Sequence, residues 1–397
     1  VKKGQIPLVA AVALDMTGFG MIIPDIQTYA ERLIKQEGWI SGTPIPIGAV
    51  IGAILSSMFI VQFFVSPWWG AKSDALGRKN VFLVCTLLST VSMVIYALAS
   101  TSLMLFLSRM LAGLGGANVA VAQASIADSS DPGRRTVVLG KLGAAQTLGL
   151  VGGPALGGIV SDSLGSAWVG WIAAGLSLIG VALVTCFGKF VSTEAVGTRR
   201  KFGFGPLLRE FPALLPFVVL VSVAWFSLSS LEGTFGRLLK ANWGYGGTQF
   251  GLLFGFESVV GLVAQGVALA WIASRFSDRS LVVFGYLLQG IGLATTPFMP
   301  NLAGLFVSSL LYALGVGIAN PTVNGLCSKA VDPDRQGEVF GVIQSARSIG
   351  FILGPMVGGI LFDLWTALPY LLAGVVSGIA AMFSPWVIPK EQSAKAG

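Results

Sequence analysis

The sequence predicts an all-α integral membrane protein of twelve transmembrane helices arranged as two pseudo-symmetric six-helix halves, and three observations lead there. Of 397 residues, 54% are hydrophobic and only 11% charged, with a mean hydropathy of +0.80; a soluble chain carries roughly a quarter charged residues. The apolar surplus calls for lipid rather than a larger core. The apolar residues also fall into twelve windows, each long enough to cross about 30 Å of hydrocarbon. Lastly, a segment of the first half returns without a gap in the second.

The first six windows run over 5–29, 47–67, 81–100, 103–127, 137–160 and 167–188. The next six run over 212–232, 247–272, 280–298, 302–329, 338–362 and 366–388. Between the sets lies a polar connector, Lys189 to Arg209, containing Arg199, Arg200 and Lys201. The expected division is therefore a first six-helix bundle over 1–188, a cytoplasmic linker over 189–211 and a second bundle over 212–397. With the N-terminus in the cytoplasm, nineteen of the 25 basic residues lie inside, four (Arg32, Lys35, Arg237, Lys240) lie outside, and Arg109 and Arg347 fall within spans. That asymmetry obeys the positive-inside rule and predicts an inner (plasma) membrane protein with both termini cytoplasmic. The net charge of +7 is then topological, and nucleic acid is not an expected partner. Val1 to Gln5 lead straight into a span with no cleavable signal pattern. Cys85, Cys186 and Cys327 lie in apolar stretches without CxxC spacing, which predicts small packing residues rather than a disulfide or metal framework.

Taken in chain order, the spans carry a series of glycine motifs. Span one contains LDMTGFGMIIP from Leu14 to Pro24, and the loop after span two reads GAKSDALGRK from Gly70 to Lys79. In that loop Gly70 and Gly77 permit a tight turn at the bilayer edge, while Asp74 can cap a helix end or pair with an arginine such as Arg78. Span four contains RMLAGLG from Arg109 to Gly115, then SIAD ending at Asp128. Span five carries Gly140, Gly149, Gly153-Pro154 and Gly157-Gly158. The segment Arg134–Asp162 returns as Arg335–Asp363, a shift of 201 residues, so that Gly153-Pro154 falls on Gly354-Pro355 and Asp162 on Asp363. Glycine in membrane helices commonly serves close packing; the joint spacing, repeated in the other half, points beyond packing. Transporters built from such repeats place the substrate near the midplane, where the halves meet.

With these motifs the chain resembles the major facilitator superfamily, and more narrowly its twelve-helix drug:proton antiporters, with tetracycline efflux pumps the nearest likeness. Gly70–Lys79 matches the GxxxDxxGRK signature, Arg109–Gly115 the RxxxGxG motif, Leu14–Pro24 the LDxxGxGxxxP pattern, and the span-five glycines the antiporter motif. The likeness is dense over spans one to five and general over six to twelve. The second-half copy of the loop signature, Ala273 to Arg279, is degenerate, and Gln27 stands where the family has a proline. The resemblance implies that the Gly70–Lys79 loop locks the cytoplasmic side of the first bundle, that the Gly-Pro helix gates, and that Arg109 is the arginine held near the proton site.

Charges inside a bilayer cost about 2.5–3.5 kcal/mol even on a lenient scale, so each needs a reason. The acids in the spans are Asp15, Asp25, Glu232 and Glu257; the bases are Arg109 and Arg347. Four against two calls for protons or a cationic substrate to neutralise the remainder. Glu257, near a midplane, is the first choice for a protonatable carboxylate, with a permanent ion pair to a neighbour such as Arg347 the alternative. Asp25 and Glu232 lie near the ends of equivalent spans, as an acidic pair or as solvated mouth residues. Asp15 and Asp25 are ten residues apart, about 15 Å along a helix, too far to share one proton. The chain has no histidine, so coupling would run on carboxylates. Asn118, Gln123, Gln146, Gln265, Gln289, Asn320 and Asn324 offer polar contacts to a substrate or between helices; Trp225, Phe226, Phe254 and Phe256 could line an amphiphile pocket or face lipid.

No P-loop, catalytic triad or metal cluster is present in the sequence, so neither ATP-driven transport, an enzyme nor a cofactor is expected. The resulting reading is a proton-coupled antiporter, acting as a monomer in membrane lipid, that exports a small amphiphilic, cationic or zwitterionic drug-like compound by alternating access. The rivals are a lipid or metabolite carrier on the same fold and a non-transporting receptor or sensor, the latter weakened by uniformly short loops.

Overall fold

Apolar side chains that cannot be covered by a single chain dictate what forms here: long helices with one face packed and the other left for lipid. The computed structural model describes residues 5–38, 42–128, 135–188, 209, 212–265, 269–330 and 336–388. Among them there is no strand. Among the described residues ten helices are long and apolar enough to cross a membrane. Trp386, Phe64 and Leu364 are among many large apolar side chains left exposed, as a lipid-facing surface requires.

The helices are α1 (Ile6–Glu37), α2 (Ile47–Leu76), α3 (Arg78–Ala97), α4 (Ser102–Gly115), α5 (Asn118–Asp128), α6 (Arg135–Leu164), α7 (Ser166–Phe187), α8 (Leu215–Trp243), α9 (Gly247–Val263), α10 (Leu269–Ala273), α11 (Asp278–Thr295), α12 (Leu302–Lys329), α13 (Gln336–Leu364) and α14 (Leu368–Val387). They follow the twelve windows, with differences that have local causes. α1 runs eight residues past its window and ends where Gly38 adopts a left-handed φ of 68°. Its polar end is stabilised by an i,i+4 pair, Lys35 Nζ to Glu31 at 2.6 Å. Span four is two helices, because the Gly116 carbonyl accepts from Gln62 Nε2 of α2 at 2.9 Å and leaves the helical ladder. α8 continues eleven residues beyond its window to Trp243, its charged end tied down by Arg237 Nε to Glu31 at 3.0 Å. At Gly77 a φ of 88° turns the chain between α2 and α3, a conformation that L side chains resist.

Side-chain caps start several helices: Thr101 accepts from Met104 N on α4, Ser277 from Ser280 N on α11, and Asn301 from Gly304 N on α12. Two of the three cysteines pack as expected; Cys186 does not, being exposed near the end of α7.

The chain divides into two compact units. One comprises Val1–Arg199 with Phe235–Gly255, the other Arg200–Thr234 with Phe256–Gly397. The first unit therefore takes in the end of α8 and the start of α9. Its core has two apolar clusters, one around Met21, Ile26, Ile54, Tyr96 and Leu105, the other around Leu8, Phe82, Val121 and Leu142. In the second unit Phe217, Val221, Tyr286, Ala319 and Ala346 lie together.

Candidate functional site: two buried carboxylate centres

In the first unit, α1 lies against α6 so closely that side chains are excluded. A Cβ on Gly149 would fall 2.5 Å from the Ala13 carbonyl oxygen, one on Gly153 would fall 2.7 Å from Gly20 Cα, and one on Gly157 would overlap the Met21 carbonyl. The repeat produces the same relation in the second unit, where Gly354 on α13 abuts Ser229 and Ser230 of α8, and Gly233 of α8 meets Pro355. Pro154 and Pro355 both sit inside continuous helices.

This packing fixes the first pair of acids. Asp15 is buried and accepts from Asn118 Nδ2 at 2.6 Å and from Ser177 Oγ at 2.7 Å; Thr90 in turn donates to Ser177 at 3.0 Å. Asp25 is 2% exposed, so it is no solvated mouth residue. It accepts from Tyr96 Oη at 2.6 Å, Ser161 Oγ at 2.5 Å and Ser166 Oγ at 2.9 Å. Arg32 approaches Ser166 at 3.4 Å. The two acids thus have separate donor sets. Arg109, 3% exposed, faces neither directly. Its guanidinium lies 5.2 Å from the centroid of Tyr96, its Nε donates to Ser108 at 3.3 Å, and its Nη2 has no hydrogen-bond partner among the described residues. Tyr96 therefore stands between the buried cation and Asp25.

In the second unit, Glu257 on α9 is 7% exposed and accepts from Ser309 Oγ of α12 at 2.6 Å. Arg347 of α13 is turned onto Trp225 of α8, 4.1 Å from its ring centroid, with Phe351 at 5.3 Å. Glu232 lies on α8 and is partly buried. The alternative of an ion pair between Glu257 and Arg347 is not formed among the described residues: the Ser309 hydroxyl holds Glu257, and Arg347 lies on aromatic rings.

Of the expected polar contacts, Asn118 joins Asp15. Gln289 is fully buried, and among the described residues neither its amide atoms nor Gln146 Nε2 has a hydrogen-bond partner. Gln123 and Gln265 are exposed, and Asn320 and Asn324 are partly buried one turn apart on α12. Phe256 meets Phe306 edge-on at 5.0 Å, and Phe226 backs onto Gly350. The segment Gly70–Lys79, expected as a loop, is helical except at Gly77, because α2 runs on to Leu76 and α3 starts at Arg78; within it Ser73 Oγ donates to Gly70 O at 2.7 Å and receives Arg78 Nη1. The side chains of Asp74 and Asp128 lie outside the described residues.

Sequence reasoning missed the hydroxyl donors Tyr96, Ser161, Ser166, Ser177 and Ser309. It also missed a contact at Asp162, whose carboxylate accepts from Gly247 N at 2.9 Å and Thr248 N at 2.7 Å, capping α9. Gln27 answers its departure from the family proline by accepting from Gly236 N at 2.9 Å. Beside these lies a polar cavity of about 190 Å³ lined by Thr28, Asp162, Lys240 and Tyr245 among others. A larger cavity, about 690 Å³, is lined by α2 and α4 residues such as Val50, Ile54 and Phe106. Its one acid, Glu37, accepts from the Ser102 backbone at 2.8 Å, and its lining includes neither Asp15 nor Asp25.

Comparison with known proteins adds what geometry cannot. The family profile described as Major Facilitator Superfamily matches residues 7–239 and 217–397. The chain is 30% identical over 365 residues to the class G tetracycline resistance protein of Vibrio anguillarum, covering 90% of this chain and 89% of the relative. It is 26% identical over 377 residues to multidrug resistance protein 1 of Bacillus subtilis (strain 168), covering 94% and 93%. Among solved structures, an inward-facing, occupied bacterial homologue of the human lysosomal transporter Spinster superposes with a TM-score of 0.78 at 15% identity, covering 96% of each chain. The nucleoside transporter NupG gives 0.77 at 15% identity, covering 98% of this chain and 99% of its own. These two likenesses speak to the fold.

Proposed function

Because the chain belongs to the major facilitator superfamily, a family of multi-pass membrane transporters of small molecules rather than enzymes, we propose that it is a proton-coupled antiporter exporting a small amphiphilic, cationic or zwitterionic drug-like compound by alternating access. The observation that carries the reading is Glu257. It is a carboxylate inside an apolar helix bundle, held among the described residues by one hydroxyl at 2.6 Å and by no ion pair. In a medium that penalises charge so heavily, such a group binds a proton or a cation, and one ligand displaces the other. Asp25 and Glu232 stand behind it as coupling candidates, with Asp15, Arg109 and Arg347 shaping their surroundings. The tetracycline and multidrug resistance proteins among its relatives support export of drug-like compounds. The proposal includes a monomer in the inner membrane, with both termini and the 189–211 connector on the cytoplasmic side.

The test is uphill transport in proteoliposomes under an imposed pH gradient. Glu257→Gln keeps shape and a hydrogen bond to Ser309 but cannot titrate. It is expected to abolish concentrative efflux while retaining substrate binding, with the pH dependence of binding flattened. A mutant that still concentrates substrate on the pH gradient alone removes Glu257 from the role and passes it to Asp25 or Glu232.

A further inference from the structure

Three hydroxyls donate to the buried carboxylate of Asp25, and they differ in what lies behind them. Tyr96, on Oδ2 at 2.6 Å, and Ser166, on Oδ1 at 2.9 Å, are themselves buried. Ser161, on Oδ1 at 2.5 Å, is partly exposed and lines the polar cavity of about 190 Å³. The same cavity is lined by Thr28 of α1, Asp162 of α6, Lys240 of α8 and Tyr245 just beyond it, all within the first unit. Thr28 also donates to the main-chain carbonyl of Asp25 at 3.0 Å. A water needs about 10–15 Å³ of such space and two to four polar partners, so the cavity has room for several in a chain. Asp15 offers the contrast, since both its donors, Asn118 and Ser177, are buried. In the expected topology this end of α1 faces outward, with Arg32 and Lys240 among the basic residues assigned there.

We propose that the cavity is the proton port of Asp25 and Ser161 its relay. A serine hydroxyl is both donor and acceptor, as a relay must be. The Ser161 hydroxyl proton passes to Asp25 Oδ1 while Ser161 Oγ takes one from a hydronium ion in the cavity, which is left as water. Ser161 ends as it began, Asp25 becomes a neutral acid, and the reverse sequence empties it. The charged and titratable groups around the exchange are Tyr29 and Arg32 on α1, Tyr96 on α3, and Arg109 on α4 behind the Tyr96 ring. Asp162, Lys240 and Tyr245 face it across the cavity. The proposal rests on the proton-coupled reading in taking a carboxylate of this chain to exchange protons with the outside, and it gives that access to Asp25.

Infrared spectroscopy of the purified full chain in detergent after a rapid acid jump tests this, through the protonated-carboxyl band that Asp25→Asn removes. Ser161→Ala is expected to slow the rise of that band by about a hundredfold, the low end of what a positioned proton-transfer group contributes, and Ser161→Thr to restore it. Ser166→Ala is the control. It removes a donor from the same carboxylate oxygen without touching the cavity lining, and its rate should stay near that of the wild type. Should Ser161→Ala fail to purify as a folded monodisperse species, Thr28→Leu carries the test. It fills the cavity with an apolar side chain, leaves all three donors to the carboxylate in place, and is expected to slow the band likewise. A band that rises no more slowly in Ser161→Ala than in Ser166→Ala overturns the proposal, since Ser161 would then be an ordinary donor. So does an unslowed Thr28→Leu, or an Asp25 band that never appears on acidification. The two readings fail separately: a Glu257→Gln protein that still pumps removes Glu257 from coupling and leaves the Asp25 band as it was, whereas an Asp25 band indifferent to Ser161 removes only the port.

Discussion

Asp25 shows how a carboxylate can sit in a membrane helix with hydroxyl groups as its direct partners. Tyr96 reaches it from α3, Ser161 from α6 and Ser166 from α7, while the nearby Arg109 stacks on the Tyr96 ring instead of pairing with the acid. Tyr96→Phe separates these roles, because the ring and its cation contact remain while one donor to a buried acceptor is lost. Such a loss costs about 1–3 kcal/mol, and chemical unfolding in detergent should show a destabilisation of that size. A change below about 0.5 kcal/mol, the range of an ordinary surface substitution, would mean that the two serines suffice. The acids and the two arginines were legible in the sequence, since a charge in an apolar window stands out. Their partners were not. Serine and tyrosine are common in such windows, and no spacing links residue 25 to residues 96, 161 and 166; only the helix packing brings them together.

At the scale of the helix, the span-five glycines are contact surfaces with defined neighbours. Gly157 cannot carry a methyl group without striking the Met21 backbone carbonyl, whereas nothing lies within 4 Å of the position a Cβ would take at Gly152, five residues earlier. Gly157→Ala is therefore expected to lower stability by about 1–3 kcal/mol, the cost of overpacking, and to impair transport. Gly152→Ala should leave both unchanged or slightly improved, since alanine is the better helix former. Thermal unfolding and efflux of the pair decide it, and equal behaviour would reduce the motif to composition. Span positions were readable because about twenty apolar residues have one natural conformation in lipid. Their ends were less so: the extension of α8 to Trp243 depends on Arg237 meeting Glu31, a partner 206 residues away. The break at Gly116 likewise depends on Gln62 of another helix.

Across the whole molecule, duplication and charge asymmetry carry the organisation. The gapless 201-residue repeat reappears as two equivalent helix contacts, α1 on α6 and α8 on α13. What the repeat could not announce is that Phe235–Gly255, which belongs to the second half by sequence, packs within the first unit. The basic residues supply the prediction at this scale. In a background lacking Cys85, Cys186 and Cys327, Thr193→Cys in the connector and Ser393→Cys near the C-terminus should react with a membrane-impermeant maleimide in inside-out vesicles and stay unlabelled in intact cells. Labelling of either from the outside of intact cells inverts the assigned topology.

The carboxylate of Asp162 caps the first two amides of α9, and that small contact has a temporal meaning. The Gly247 and Thr248 protons are donated to a helix other than their own, so the cap lasts only while α6 and α9 stay together. Loss of their protection from exchange in Asp162→Asn, or under conditions that part the two helices, would register the cap's release. Any transport cycle that separates these ends must release the cap and remake it each turn, which makes two backbone amides a clock for the molecule's opening.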